Sequence, residues 1–329
     1  MIKQLGLLAL LVISTVSHAE EQAVAIALHG GAGTIERGRM SAEMEAEYRT
    51  FLDAAIVAGH EQLKAGAPGL DVVVDIIHRM EESPLFNAGR GSVYTWEGTN
   101  ELDAAIMHGE TRDAGAVAGV TTVKSPIALA RAVMEDSPHV MLAGRGAEVF
   151  AREQGYEIVP EGYFGTERRL KSLEAYKAKR QAGLEPEVDY KFGTVGLVVL
   201  DAQGNLVAGT STGGMTGKRW GRIGDVPVIG AGTYADNRTC AVSATGHGEY
   251  FIRHTVARDI CARMQYTGAS LSESTDAMVM KELVEAGGSG GIIAVDYQGN
   301  VALTFNSAGM YRASIDGEGN KVVGIYGDE

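Results

Sequence analysis

Thr194 stands directly behind a glycine, in Gly193-Thr194-Val195-Gly196, and opens the apolar run Val195-Gly196-Leu197-Val198-Val199-Leu200-Asp201. Residues 160–192, which lead up to it, are charged and turn-rich. A threonine at the start of a strand is ordinary, since β-branched residues favour strands. The glycine before it and the linker upstream mark this one out. Gly193 tolerates a strained peptide geometry, and the linker gives a released end somewhere to go. This arrangement suits a chain that cuts itself before Thr194, after which the new amine serves as general base to the threonine's own hydroxyl.

Further residues are suited to work beside such a nucleophile. Thr210-Ser211-Thr212-Gly213-Gly214 ends the strand that returns after Thr194, and residues opposite one another across a hairpin are neighbours, so its hydroxyls reach Thr194. Arg222 and Asp225, split by a glycine, can present a guanidinium and a carboxylate to the two charged groups of an amino-acid end. Thr245-Gly246-His247-Gly248 lies between a strand and a helix, where backbone N–H groups can stabilise an oxyanion. Asn87 sits in a glycine-rich loop, and His29-Gly30-Gly31-Ala32-Gly33 brings backbone close to the same centre.

Two other readings compete. Gly209-Thr210-Ser211-Thr212-Gly213, followed in order by Asp225 and His247, fits the pattern of a serine esterase with Ser211 as nucleophile. That pattern needs a helix directly after the serine, whereas Gly213 to Arg222 reads as loop. An exported amino-acid-binding protein would use Arg222 and Asp225 alone. Such proteins have alternating α/β lobes, which this chain lacks.

The elements that must position these residues follow from periodicity and punctuation. Strands are expected at 24–28, 102–107, 114–123, 140–142 and 241–244, and helices at 43–64, 70–80, 126–134, 144–153, 248–264 and 271–285. A solvated helix is expected at 167–180, within the linker. Leu197 to Ala208 echoes Ile292 to Leu303, each a strand, an Asp-x-x-Gly-Asn turn and a return strand. Hairpins with helices in consecutive pairs indicate an α+β fold of two facing, mainly antiparallel sheets covered by helices.

A chain of 329 residues that is 45% apolar can bury a large core. Lys3, the apolar run Leu5 to Val16 and Ser17-His18-Ala19 read as a cleaved leader, residues 1–19, too short to span a bilayer. The mature protein is then expected to be exported, periplasmic in a Gram-negative source and otherwise secreted, with no further membrane span. The formal charge of −13 argues against nucleic acid and anionic membranes as partners, and the Arg222–Asp225 pair suits a small-molecule substrate. Cys240 and Cys261 read equally as a disulfide of an exported protein or as two buried thiols.

Taken together, these motifs resemble the isoaspartyl peptidase/L-asparaginase family, the plant-type asparaginases of the N-terminal-nucleophile hydrolases. The resemblance covers about residues 22 to 326. His-Gly-Gly-Ala-Gly at 29–33, Asn-Ala-Gly-Arg-Gly at 87–91, Glu-Leu-Asp-Ala at 101–104 and Gly-Thr-Val-Gly at 193–196 carry its first part. Thr-Ser-Thr-Gly-Gly at 210–214, Gly-Arg-Ile-Gly-Asp at 221–225, Ala-Gly-Thr-Tyr-Ala-Asp at 231–236 and Thr-Gly-His-Gly-Glu at 245–249 complete it.

The resemblance implies a four-layer αββα sandwich. It also implies cleavage between Gly193 and Thr194 into an α chain, 20–193 with its linker at about 160–193, and a β chain, 194–329. The two form one domain and pair as an (αβ)2 assembly. The implied nucleophile is Thr194, with Thr212 and Asn87 beside it. Arg222, Asp225 and Gly248 are the implied substrate contacts, and Thr245 and Gly246 the implied oxyanion hole. No catalytic cofactor is implied. A structural sodium ion is, held by backbone carbonyls of Met80, Glu81, Ser83, Phe86, Ala88 and Arg90. The implied substrates are β-aspartyl dipeptides and asparagine, with glycosylated asparagine as the alternative. Val226 stands where the family commonly has serine, a departure that bears on substrate preference and not on reaction class.

Overall fold

The computed structural model describes residues 23–184 and 193–329. The expected leader, 1–19, and the last part of the linker, 185–192, lie outside the described residues.

Twelve strands form two sheets among the described residues. They are β1 (Ala25–Gly33), β2 (Leu102–His108), β3 (Ala114–Val120), β4 (Met141–Ala143), β5 (Val195–Leu200), β6 (Leu206–Thr212), β7 (Thr233–Ala235), β8 (Cys240–Gly246), β9 (Gly290–Asp296), β10 (Val301–Phe305), β11 (Gly309–Ile315) and β12 (Lys321–Tyr326). The larger sheet runs β12-β11-β1-β5-β6-β2-β3-β4 and the smaller β10-β9-β8-β7. Every pairing is antiparallel except that of β4, which joins β3 in parallel.

The two faces of the larger sheet bury different side chains. Ile26, Leu28, Val195, Leu197 and Val199 point to one side, where α1 (Ala42–Lys64), α2 (Gly69–Glu81), α3 (Pro126–Asp136) and α4 (Gly144–Glu153) cover them. Ala25, Ala27, Val198, Leu200, Leu206 and Ala208 point to the other, where the second sheet packs against them. That second sheet is covered in turn by α6 (Gly248–His254), α7 (Val256–Thr267), α8 (Leu271–Asp276) and α9 (Leu283–Ala286). The layers are therefore αββα. Among the described residues no helix is long and apolar enough to cross a membrane.

Four expectations need correction. The first strand does not stop at Leu28. It continues to Gly33 because β11 pairs with it on both sides of an irregularity between His29 and Gly31. The helix expected at 248–264 is two helices, broken at Thr255, whose φ of 47° is left-handed. The helix expected at 271–285 contains a π-helical stretch, Ala277–Glu282, between α8 and α9. The three-residue β7 was not expected. The linker helix is present as α5 (Glu167–Gln181) with only Leu173 buried, as its polar composition requires. Cys240 and Cys261 are joined as a disulfide.

Candidate active site

The β5–β6 hairpin creates the centre. Its register pairs Val195 with Ser211, so Thr194 comes opposite Thr212, and their Oγ1 atoms stand 2.9 Å apart. Val195, Leu197 and Val199 face the helices, so by strand alternation Thr194 and Thr212 face the second sheet. Thr212 Oγ1 also accepts the Gly214 N–H at 3.0 Å, and its own hydrogen can be donated to Thr194 Oγ1. Such a donor leaves the Thr194 hydroxyl proton free for a base.

The bond expected to break is held as well. The carbonyl of Gly193 accepts the backbone N–H of Asn87 at 2.8 Å. The Asn87 side chain is otherwise engaged: Nδ2 donates to the Gly214 carbonyl at 2.7 Å, and Oδ1 accepts the Val93 N–H at 2.8 Å. Asn87 thus braces the site with its amide and meets the Gly193 carbonyl through its main chain.

Behind Thr194 runs a buried polar chain; His29, Thr210 and Thr233 lie in motifs quoted above, but nothing in the sequence linked their side chains to one another or to Ser243. His29 Nδ1 is 3.0 Å from the Thr194 carbonyl oxygen, and His29 Nε2 is 3.0 Å from Ser243 Oγ. Ser243 Oγ is 2.7 Å from Thr210 Oγ1, which accepts from Thr233 Oγ1 at 2.7 Å. A carbonyl only accepts, so Nδ1 carries the hydrogen and Nε2 accepts from Ser243. Complete burial lowers the His29 pKa to about 3, against a smaller opposing effect of the Thr194 hydrogen bond, so the ring is neutral.

The residues suited to an amino-acid end lie in the loop after β6. Asp225 is buried, and its Oδ2 has no hydrogen-bond partner among the described residues. Burial raises its pKa to about 7, with Arg222 opposing. An unpartnered buried carboxylate oxygen fits an incoming ammonium. Arg222 donates from Nε and one terminal nitrogen to Glu249, both at 3.0 Å. One edge of the guanidinium is thereby fixed and its remaining hydrogens stay available. At Gly248 a β-carbon would lie 2.7 Å from Asp225 Oδ1 and 3.0 Å from an Arg222 terminal nitrogen, so a side chain there would block the pocket. Asp103 pairs across the sheet with Thr212 and is also buried, with a raised pKa from burial that Lys218 partly offsets.

Thr245 and Gly246 end β8 on the second sheet. Thr245 Oγ1 accepts the Ala32 N–H from β1 at 3.4 Å, and its own hydrogen has no acceptor among the described residues. It faces the larger sheet at β1, the neighbour of β5, where an oxyanion donor is needed.

The serine reading fails on geometry. Ser211 alternates to the opposite face from Thr212, is fully buried, and donates to Glu81 Oε1 at 2.7 Å. Its strand runs into a loop and not a helix.

The loop carrying Met80, Glu81, Ser83, Phe86, Ala88 and Arg90 curls on left-handed Gly89 and Gly91. A β-carbon at Gly91 would lie 2.7 Å from the carbonyl oxygens of both Pro84 and Phe86, and one at Gly89 would strike the Glu81 carbonyl. The Glu81 carboxylate turns away to Ser125, Ile127 and Ser211. The curl brings the Pro84 and Phe86 carbonyl oxygens together, and the Met80 and Glu81 carbonyls already accept the N–H groups of Ser83 and Arg90.

Sequence reasoning missed His29 as a side chain, Ser243, Thr233 and Glu249. Glu249 was visible as an acidic residue in the first turn of a helix, two residues before Phe251 and its apolar face, but nothing in the sequence tied it to Arg222.

The Asparaginase family model matches residues 22–325. An isoaspartyl peptidase of Escherichia coli is 50% identical over 92% of this chain and 95% of its own length. A probable isoaspartyl peptidase/L-asparaginase of Arabidopsis thaliana is 43% identical over 92% of this chain and 98% of its own. An isoaspartyl peptidase/L-asparaginase of Xenopus laevis is 38% identical over 92% and 96%. With the αββα layers and the Thr194–Thr212 pair in place, the match over nearly the whole chain establishes that this protein belongs to the asparaginase family of N-terminal-nucleophile hydrolases.

Proposed function

We propose that this protein is a self-cleaving threonine hydrolase that releases aspartate from β-aspartyl dipeptides and from asparagine. The observation that carries this reading is the Thr194 hydroxyl, paired with Thr212 at 2.9 Å, next to a Gly193 carbonyl that accepts the Asn87 N–H at 2.8 Å.

In the first reaction Thr194 Oγ1 attacks the Gly193 carbonyl carbon. The C–N bond breaks, the nitrogen takes up the hydroxyl proton, and Gly193 is left as an ester on Oγ1. Water opens the ester to the Gly193 carboxylate and a free threonine. In the second reaction the Thr194 amine accepts the Oγ1 proton, and the oxygen attacks the substrate's side-chain carbonyl. Arg222 and Asp225 hold the α-carboxylate and α-ammonium. The oxyanion rests on Thr245 and Gly246. The leaving nitrogen takes its proton from the Thr194 ammonium, and water then frees aspartate. Relatives named isoaspartyl peptidase support this substrate class over glycosylated asparagine.

Mass spectrometry of the purified protein tests the reading. Two chains split before Thr194 are expected, and Thr194→Ala should remain one chain without activity. Cleavage at another bond, or full activity of an uncut chain, would overturn it.

The reading extends to the two chains staying together and pairing as (αβ)2, to a sodium ion in the Met80–Arg90 loop, and to export after removal of residues 1–19. The disulfide supports export, since such bonds persist in oxidising compartments. Light scattering, elemental analysis after sodium-free dialysis and amino-terminal sequencing test these in turn.

A further inference from the structure

A cavity of about 190 Å³ opens beside Gly193, and the reaction above gives it no role. Its walls come from β1 at Gly30, β11 at Tyr311, α1 at Met44 and Tyr48, and α5 at Arg168. In the larger sheet β11 and β1 lie on one side of β5, and the α1 wall puts the cavity on the helix-covered face there, so it reaches the site at Gly193 and not at the Thr194 hydroxyl, which faces the second sheet. Arg222 and Asp225 lie on the other side of β5, where Arg222 acts on Asp103 of β2 and Asp103 on Asp225.

The chemistry requires something on the cavity side. The departing nitrogen takes its proton from the Thr194 amine, so it must come within hydrogen-bond reach of that amine. The space next to this nitrogen is filled before cleavage by Gly193, which itself lines the cavity. If Gly193 withdraws once the bond is cut, that volume joins the cavity and would lie next to whatever is attached to the departing nitrogen.

We propose that this cavity is the subsite for the departing amino acid of a β-aspartyl dipeptide, and that it selects an apolar side chain and a free α-carboxylate. The proposal rests on the hydrolase reading and extends it to the second half of the substrate. Met40, Met44 and Tyr48 supply an apolar wall, and the unbranched methionines adapt to side chains of different shape. Arg168 supplies positive charge, in a wall that also holds Arg39 and Arg169. One of the Arg168 terminal nitrogens donates to the carbonyls of Pro84 and Leu85 at 2.8 and 3.0 Å, and no carboxylate pairs with it among the described residues. The carboxylate in the wall, Glu36, is taken by Arg39 at 2.8 Å. Asparagine, which releases only ammonia, does not fill the subsite.

The test uses the fully cleaved protein and four substrates: β-aspartyl-leucine, its leucinamide analogue, β-aspartyl-lysine and asparagine. Arg168→Ala, an exposed position, should lower the kcat/KM ratio of β-aspartyl-leucine to asparagine about tenfold. The ratio for the leucinamide, which has no carboxylate, should be low already and stay within about twofold. Met44→Glu should cut the preference for β-aspartyl-leucine over β-aspartyl-lysine by about tenfold or reverse it. Ratios unchanged in both variants, or equal losses on all substrates, would overturn the subsite. If cleaved wild-type protein turned over none of these substrates, the hydrolase reading itself would fall, which is a different result.

Discussion

His29 donates its Nδ1 hydrogen to the carbonyl oxygen of Thr194 across 3.0 Å, from 165 residues away in the chain. Cleavage before Thr194 would remove one of its two covalent anchors. The free amine would then be oriented by the strand that follows, by Thr212 and by this hydrogen bond. His29 therefore positions the base without touching substrate. In His29→Asn the amide nitrogen takes the place of Nδ1 and keeps the donor, whereas His29→Ala loses it. On fully cleaved protein kcat should fall roughly ten- to a hundredfold in the alanine variant, with KM little changed. The asparagine variant should recover most of that loss. Equal kcat values for the two would show that His29 only fills space.

The bond between Cys240 and Cys261 closes a loop between residues 21 apart and ties β8 to α7. Loop-closure entropy of that size corresponds to about 3 kcal/mol. Replacing both cysteines with alanine should lower the unfolding free energy by about that amount while leaving the cleaved fraction near wild type. Denaturant titration with and without reductant checks this, and a stability insensitive to reductant would count against a formed bond.

What the sequence disclosed was what strand periodicity and hairpin pairing dictate. Hairpin pairing put the hydroxyls of residues 210–212 near Thr194, and the resemblance singled out Thr212; the exact register, and that Ser211 points away to Glu81, came with the structure. The layered order followed from paired hairpins and helices. Contacts that depend on the stacking of the two sheets stayed hidden. His29 meets Ser243 across 214 residues, and no local pattern encodes that. The break at Thr255 was also hidden, because threonine is an ordinary helix residue and only its left-handed backbone ends the helix. The first strand ran on through its glycines because pairing with β11 outweighed their weak strand propensity.

Glu249 should act through Arg222. Burial works to raise its pKa, but the hydrogen bonds and charge of Arg222 outweigh this and hold it below the usual carboxylate range. Removing it in Glu249→Ala frees the guanidinium to swing toward solvent. KM for asparagine should rise about tenfold with kcat within about threefold, and Glu249→Gln should fall between. A drop in kcat at constant KM would assign Glu249 to the chemical step and not to holding Arg222.

Asp225 and His29 should give stability opposite slopes with pH. His29 is held neutral at about 3 against an ordinary 6.5, so its contribution is present above 6.5 and is lost as pH falls toward 3. Asp225 is raised from 3.8 to about 7, so the folded state holds a proton that the unfolded chain has released. Its effect is therefore absent at low pH and destabilises progressively as pH rises from 3.8 to about 7. At pH 8 Asp225→Asn should be more stable than wild type by roughly 2–4 kcal/mol, and the gain should vanish near pH 4. The same variant should lose affinity for aspartate. A bound ammonium makes the ionised carboxylate favourable again, so binding of aspartate at pH 6 should release a proton that the variant does not release. Calorimetry in two buffers of different ionisation enthalpy reads that proton directly. Proton release undiminished in Asp225→Asn would place the ammonium elsewhere.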